Sequence, residues 1–226
     1  DAMRTWAPLL EALPTLPTRD ELRALLTLAV PVVVVQVGMM MMGVVDTIMV
    51  GHLNAEALAS VALGNLYFFG VAIFGMGALM ALDPIVAQAV GARDEPAIAR
   101  GLQRGLLIAL VLAIPAMLLM LPARPVLGWL RQPAEVIPLA GTYVDLVLPG
   151  VLPFLAFGVL RQTLQAMGRM RPIVLTIVAA NLLNILLNWV LIFGHLGSPP
   201  LGVAGSAWAT TISRWAMVLL LAGLGW

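Results

Sequence analysis

The sequence predicts an all-α integral membrane protein built as a six-transmembrane-helix bundle. Three observations carry that prediction. Of the 226 residues, 62% are hydrophobic and 10% charged, against about 25% charged in an ordinary soluble domain. The mean hydropathy of +1.03 exceeds what a soluble surface can cover with polar groups. The apolar residues run in stretches long enough for helices of about 20 residues, not in the short alternating segments of a β-barrel. This composition excludes a secreted disulfide module, a disordered chain and a nucleic-acid binder. With no Cys, the chain has neither a thiol nucleophile nor a disulfide. His52 and His195 lie far apart in expected loops, which argues against zinc or haem, and no cofactor is predicted.

Residues 1–18 read as a cytoplasmic lead-in. Arg4, Glu11, Arg19, Asp20, Glu21 and Arg23 deny it the clean apolar region of a secretory signal. The bundle fills residues 19–226. Its first span is expected from Glu21 to Val50, started by the capping signature Thr18-Arg19-Asp20-Glu21. Pro31 removes a backbone hydrogen bond there, so this helix can bend. The turn Gly51-His52-Leu53-Asn54 leads to a second span, Glu56 to Val90, whose Gly64, Gly70, Gly75 and Gly77 suit close helix packing. After the loop Gly91 to Glu95, Pro96 opens a third span ending at Leu121. Pro122, Pro125 and Pro133 break up the next connection. The fourth span runs from Ala134 to Ala166, bent by Pro149 and Pro153. A polar turn, Gly168 to Pro172, precedes the fifth, Pro172 to Phe193. A Gly/Ser/Pro turn, Gly194 to Gly202, precedes the sixth, Val203 to Trp226. Asp1 at the start and an apolar helix at the end suit a segment of a longer chain.

All twelve basic residues are Arg. With the N-terminus in the cytoplasm, nine fall on inside segments and two, Arg124 and Arg131, on outside ones, while Arg214 lies within a span. That positive-inside bias puts both termini of the segment in the cytoplasm.

A charge inside the bilayer costs about 2.5–3.5 kcal/mol on insertion scales. Asp46, Asp145 and Arg214 therefore need a reason. Burial disfavours the charged form of Asp46, so it either takes up a proton or is held ionised by a bound cation; the competing reading is a structural Asp bonded to a neighbouring helix. Asn181, Asn184 and Asn188 share one face of the fifth span. Their amide oxygens can coordinate a hard cation such as Na⁺ beside a carboxylate, or simply bond helix to helix at about 0.6 kcal/mol each. Arg214 is expected to be paired or to line a cavity. Asp145 needs a partner or a wet cavity. Met39 to Met42 spread round the first helix, so at least one faces any central cavity. Gln36, Met39, Asn65, Asn181 and Arg214 are the candidate cavity-lining residues.

Pro31 through Leu53, ending in Val45-Asp46-Thr47-Ile48-Met49-Val50-Gly51-His52-Leu53, resembles the first helix of the multidrug and toxic compound extrusion (MATE) transporters. Pro84 to Ala92, Arg161 with Gln165 through Pro172, Asn184-Ile185-Leu186-Leu187-Asn188-Trp189 and Gly205 through Thr210 are similar to the same family. The resemblance implies one lobe of a two-lobe, twelve-helix transporter, here the N-terminal lobe, whose partner is a C-terminal six-helix lobe. It implies secondary antiport: amphipathic, often cationic organic compounds leave in exchange for inward H⁺ or Na⁺, across what is expected to be a bacterial cytoplasmic (inner) membrane. Asp46 matches the family's first-helix acid, and Asn184 and Asn188 match the fifth-helix pair at its cation site. Some members carry Asp where this chain has Asn188, which leaves the ion open. Ser206 or Thr210 would supply a sixth-helix hydroxyl, and Pro31 matches the proline about which the first helix bends.

Two rivals make different demands. A lipid-linked sugar flippase of the wider superfamily should line its cavity with several cations, whereas Arg214 alone is evident. An intramembrane aspartyl protease needs a Gly-x-Gly-Asp motif that the chain lacks, so no enzyme is expected.

Overall fold

The computed structural model describes residues 18–225. Residues 1–17 of the expected lead-in, and Trp226, lie outside the described residues. Helix α1 (Arg19–Gly51) begins as the sequence requires. Thr18 accepts the Glu21 N–H through its side chain, while the Glu21 carboxylate accepts the Thr18 N–H at 2.8 Å, two otherwise orphaned donors satisfied reciprocally. α1 continues as one helix through Pro31.

The second expected span divides into α2 (Ala55–Met80) and α3 (Asp83–Gly91). The cause is Pro84, which has no N–H to carry the helical ladder across Ala81 and Leu82 but is well placed in the first turn of a new helix. α4 (Glu95–Met120) is capped by Asp94, which accepts the Ala97 N–H at 2.9 Å. The proline-rich connection after it holds a short helix that the sequence did not announce, α5 (Ala123–Trp129). Ala123 and Leu127 are its buried residues, and Leu127 packs with Val136 and Ala140.

The fourth span consists of α6 (Val136–Val147), a 3-10 turn (Leu148–Gly150) and α7 (Val151–Ala166). The break falls at Pro149. Pro153 sits in the first turn of α7, where a missing N–H costs little. α8 (Met170–Phe193) ends at Gly194, whose φ of 78° is the left-handed conformation that glycine adopts without strain. α9 (Val203–Gly225) closes the bundle. Taken as α1, α2 with α3, α4, α6 with α7, α8 and α9, six spans among the described residues are long and apolar enough to cross a membrane.

Two apolar cores hold the lobe together. One joins α2, α4, α6 and α7 around Phe68, Leu79, Met120 and Tyr143; the other joins α1, α7, α8 and α9 around Val35, Leu164, Ile173 and Leu221. Glycine sets the closest approaches. A Cβ on Gly205 of α9 would stand 2.6 Å from the Leu191 backbone of α8, and one on Gly75 would stand 3.0 Å from Leu155. Gly64 makes room for the Tyr143 ring. The packing role expected of Gly70 and Gly77 does not hold, because nothing lies within 4 Å of a Cβ on either. Outward-facing side chains such as Leu66, Phe74 and Leu118 are apolar and exposed, as suits contact with lipid.

Candidate functional site

Asp46 lies in the C-terminal half of α1 with 1% of its surface exposed. Three neighbours on two other helices meet its carboxylate. Asn188 donates to Oδ1 at 2.6 Å and Asn184 to the same oxygen at 3.3 Å, both from α8. Thr210 of α9 donates to Oδ2 at 2.6 Å. Asn184 and Asn188 are one turn apart and therefore neighbours on one face, and Asn188 also donates to Asn184 Oδ1 at 3.1 Å. All three partners are buried. Hydrogen bonds to a charged group contribute about 1.5–3 kcal/mol each, enough for three to offset much of the cost of holding a carboxylate there.

One atom in this cage is left over. Asn188 Oδ1 is buried and accepts no hydrogen bond. A free carbonyl oxygen beside a carboxylate and a hydroxyl is the donor set that a hard cation seeks. Thr210, not Ser206, supplies the α9 hydroxyl. Ser206, one turn earlier, is buried with its Oγ unpaired and makes no bond to Asp46.

The carboxylate borders a cavity of about 60 Å³. That space suits a small cation and a few waters, and falls well short of the roughly 300 Å³ of a drug-sized pocket. Met39, Met42, Asn65, Asn181 and Arg214 all line it. Gln36 does not. Ten residues before Asp46, it lies about 80° round the helix from it and is exposed, whereas Met39 and Met42 precede Asp46 by seven and four residues and share its face. Asn181 donates to Gly38 O of α1 at 2.9 Å, tying α8 to α1 one turn from the cage.

Arg214 is buried, and its guanidinium carbon stands 3.8 Å from the centroid of the Phe68 ring. Asp145 finds the partner it needs in Arg124 at 2.7 Å, away from the cavity. Sequence reasoning missed two contributors. Tyr143 donates to Asn65 at 3.0 Å and walls the site from α6; Gly64, opposite its ring, was the available signal. Phe68 and Phe154, the aromatic seat of Arg214, carry no local signal at all.

Comparison with known proteins follows the same outline. Residues 31–190 match the family model described as MatE. The chain is similar to the probable multidrug resistance protein NorM of Synechocystis sp., 37% identical over 201 residues, which are 89% of this chain and 44% of that protein. It is 34% identical over 203 residues to multidrug resistance protein NorM of Vibrio vulnificus, which are 90% of this chain and 44% of the relative. Among solved structures, a eukaryotic MATE transporter matches with a TM-score of 0.80 at 27% identity, covering 90% of this chain and 45% of that one. MATE in a bent conformation matches with a TM-score of 0.78 at 26% identity, covering 88% of this chain and 44% of that one. MATE in a straight conformation gives 0.74 at 27%, with the same coverage. The chain thus spans about 44% of the length of the curated relatives it matches.

Proposed function

This chain belongs to the MatE family as the N-terminal half of a MATE transporter, and we propose that the protein exports amphipathic, often cationic, organic compounds in exchange for inward H⁺ or Na⁺, with Asp46 as the group that loads the ion. The observation that carries this reading is the buried Asp46 carboxylate, held by Asn184, Asn188 and Thr210 with Asn188 Oδ1 left free beside it. A group with only a structural role would not need a spare buried acceptor beside its carboxylate.

In this mechanism one carboxylate serves two ligands in turn. The organic cation is attracted toward the face of the lobe that carries the cavity while Asp46 is unloaded. An inward-moving H⁺ or Na⁺ then takes the carboxylate and removes that attraction, so the compound leaves outward. An inward cation crossing about 100 mV releases roughly 2.3 kcal/mol. The 60 Å³ space admits the ion but not such a compound. The compound therefore sits where this lobe meets a second six-helix lobe, and α1, carrying both Pro31 and Asp46, is the element whose shape follows loading. Both termini of the segment lie in the cytoplasm, and the bilayer is a bacterial inner membrane. Among the described residues Arg214 is the one cationic side chain lining the cavity, which disfavours a flippase for anionic lipid-linked sugars.

The test is efflux of a fluorescent organic cation from proteoliposomes holding the full-length protein, under H⁺ and Na⁺ gradients imposed separately. Asp46→Asn, expressed and folded as wild type, is expected to lose gradient-driven efflux. Wild-type efflux rates in that variant would overturn the reading.

A further inference from the structure

Arg214 lines the same cavity as Asp46 without pairing with it. No ion pair joins the two among the described residues, although Arg214 lies one turn beyond Thr210, which bonds Asp46 directly. The guanidinium is instead seated on aromatic rings, 3.8 Å from the Phe68 centroid and 5.6 Å from that of Phe154. Gly150 is the other wall of the seat, since a Cβ there would stand 3.2 Å from both Cδ and Nη1 of Arg214. With 7% of its surface exposed, Arg214 is as buried as a core residue, yet Nη1 has no hydrogen-bond partner. A buried guanidinium that sought only stability would take the available carboxylate. This one is held off it.

We infer that Arg214 is a specificity-determining residue of the cation site: a clamped positive charge that restricts Asp46 to a single monovalent cation and keeps that cation's hold weak enough for release. The inference rests on the reading of Asp46 as the loading group. Unloaded, the cavity's two fixed charges sum to zero. One monovalent cation brings it to +1, and each further positive charge is opposed by Arg214 across a poorly screened interior. The opposition scales with the charge of the ion. If neutralising Arg214 strengthens the hold on a monovalent cation about tenfold, it strengthens the hold on a divalent one about a hundredfold, the square of that factor. A merely structural role for Arg214 would not move the ratio of the two. The Phe68 seat makes a second, opposite prediction: without it the guanidinium can swing to Asp46 and pair with it, shutting the site.

The experiment titrates the full-length protein with Na⁺ and with Ca²⁺ by equilibrium dialysis, and with H⁺ by proton uptake, in wild type, Arg214→Gln, Arg214→Lys, Phe68→Leu and Asp46→Asn. Arg214→Gln is expected to load the wild-type ion at about tenfold lower concentration, and to raise Ca²⁺ loading about a hundredfold. Arg214→Lys keeps the positive charge, so its Ca²⁺-to-Na⁺ loading ratio stays closer to wild type than that of Arg214→Gln, and Phe68→Leu loads more weakly than wild type. Folded Arg214→Gln protein with wild-type loading and an unchanged Ca²⁺ ratio would overturn the inference while leaving Asp46 in its role. Should Arg214→Gln not fold, Phe68→Leu decides: loading as strong as wild type or stronger overturns the clamp. Equal loading of Asp46→Asn and wild type by every ion would remove the reading of Asp46 and this inference with it.

Discussion

Asn188→Leu removes the shortest amide contact to Asp46 while keeping the side chain's branching at Cγ. Asn188 is fully buried, donates at 2.6 Å to Asp46 and at 3.1 Å to Asn184, and holds the one free oxygen of the cage. A hydrogen bond to a charged group is worth about 1.5–3 kcal/mol, which is about 10–150-fold in an equilibrium constant. The sign of the shift identifies the ion. Na⁺ loses a carbonyl ligand, so its half-loading concentration rises by about 10–150-fold. A proton competes with the donors that stabilise the bare carboxylate, so removing one donor lets it load at a lower concentration, by a factor in the same range or less. The assay is efflux of a fluorescent organic cation from proteoliposomes as a function of driving-ion concentration, run for each ion. Unchanged half-loading for both ions, in a variant with wild-type expression and melting, would refute the assignment of Asn188 to the cation site.

Other expectations concern the scaffold. Gly205→Ala forces a Cβ to within 2.6 Å of the Leu191 backbone; backbone cannot yield as a side chain does, so a loss of about 3 kcal/mol is expected, read as a lowered melting temperature in detergent. Gly77→Ala meets open space in the same test and is expected to be neutral or to gain up to about 1 kcal/mol in helix propensity. Arg124→Ala breaks a 2.7 Å ion pair and leaves the Asp145 carboxylate within a membrane span without its partner; a loss of up to about 3 kcal/mol is expected, read as a lowered melting temperature in detergent, with the loading of Asp46 unchanged in the ion titration.

Spans were legible because hydropathy over 20 residues is a strong signal that tertiary structure does not rewrite. The capping of α1 was legible for a similar reason, since Thr18 and Glu21 act within one turn. Breaks were harder. Pro149 was correctly taken as a bend, but the same chemistry at Pro84 was overlooked within a long apolar run, and α5 was hidden by the prolines around it. Asp46, Asn184 and Asn188 stood out because polar groups are costly in a membrane. Their meeting could not be read from spacing, because it depends on how α1 and α8 are rotated against each other. The same rotation decides between Thr210 and Ser206 on α9, and excludes Gln36 from the cavity. The seat of Arg214 brings together Phe68 and Phe154, which are 86 residues apart in sequence, so nothing local could announce it.

The central claim is that the driving cation and the organic substrate compete for Asp46. Its most direct test is substrate-driven ion release from the purified full-length protein, with ²²Na⁺ counted in one arm and released protons read by a pH indicator in the other. Adding a fluorescent organic cation is expected to release one of the two ions from wild type and neither from Asp46→Asn. Release of the same size from the Asp46→Asn variant would contradict the account.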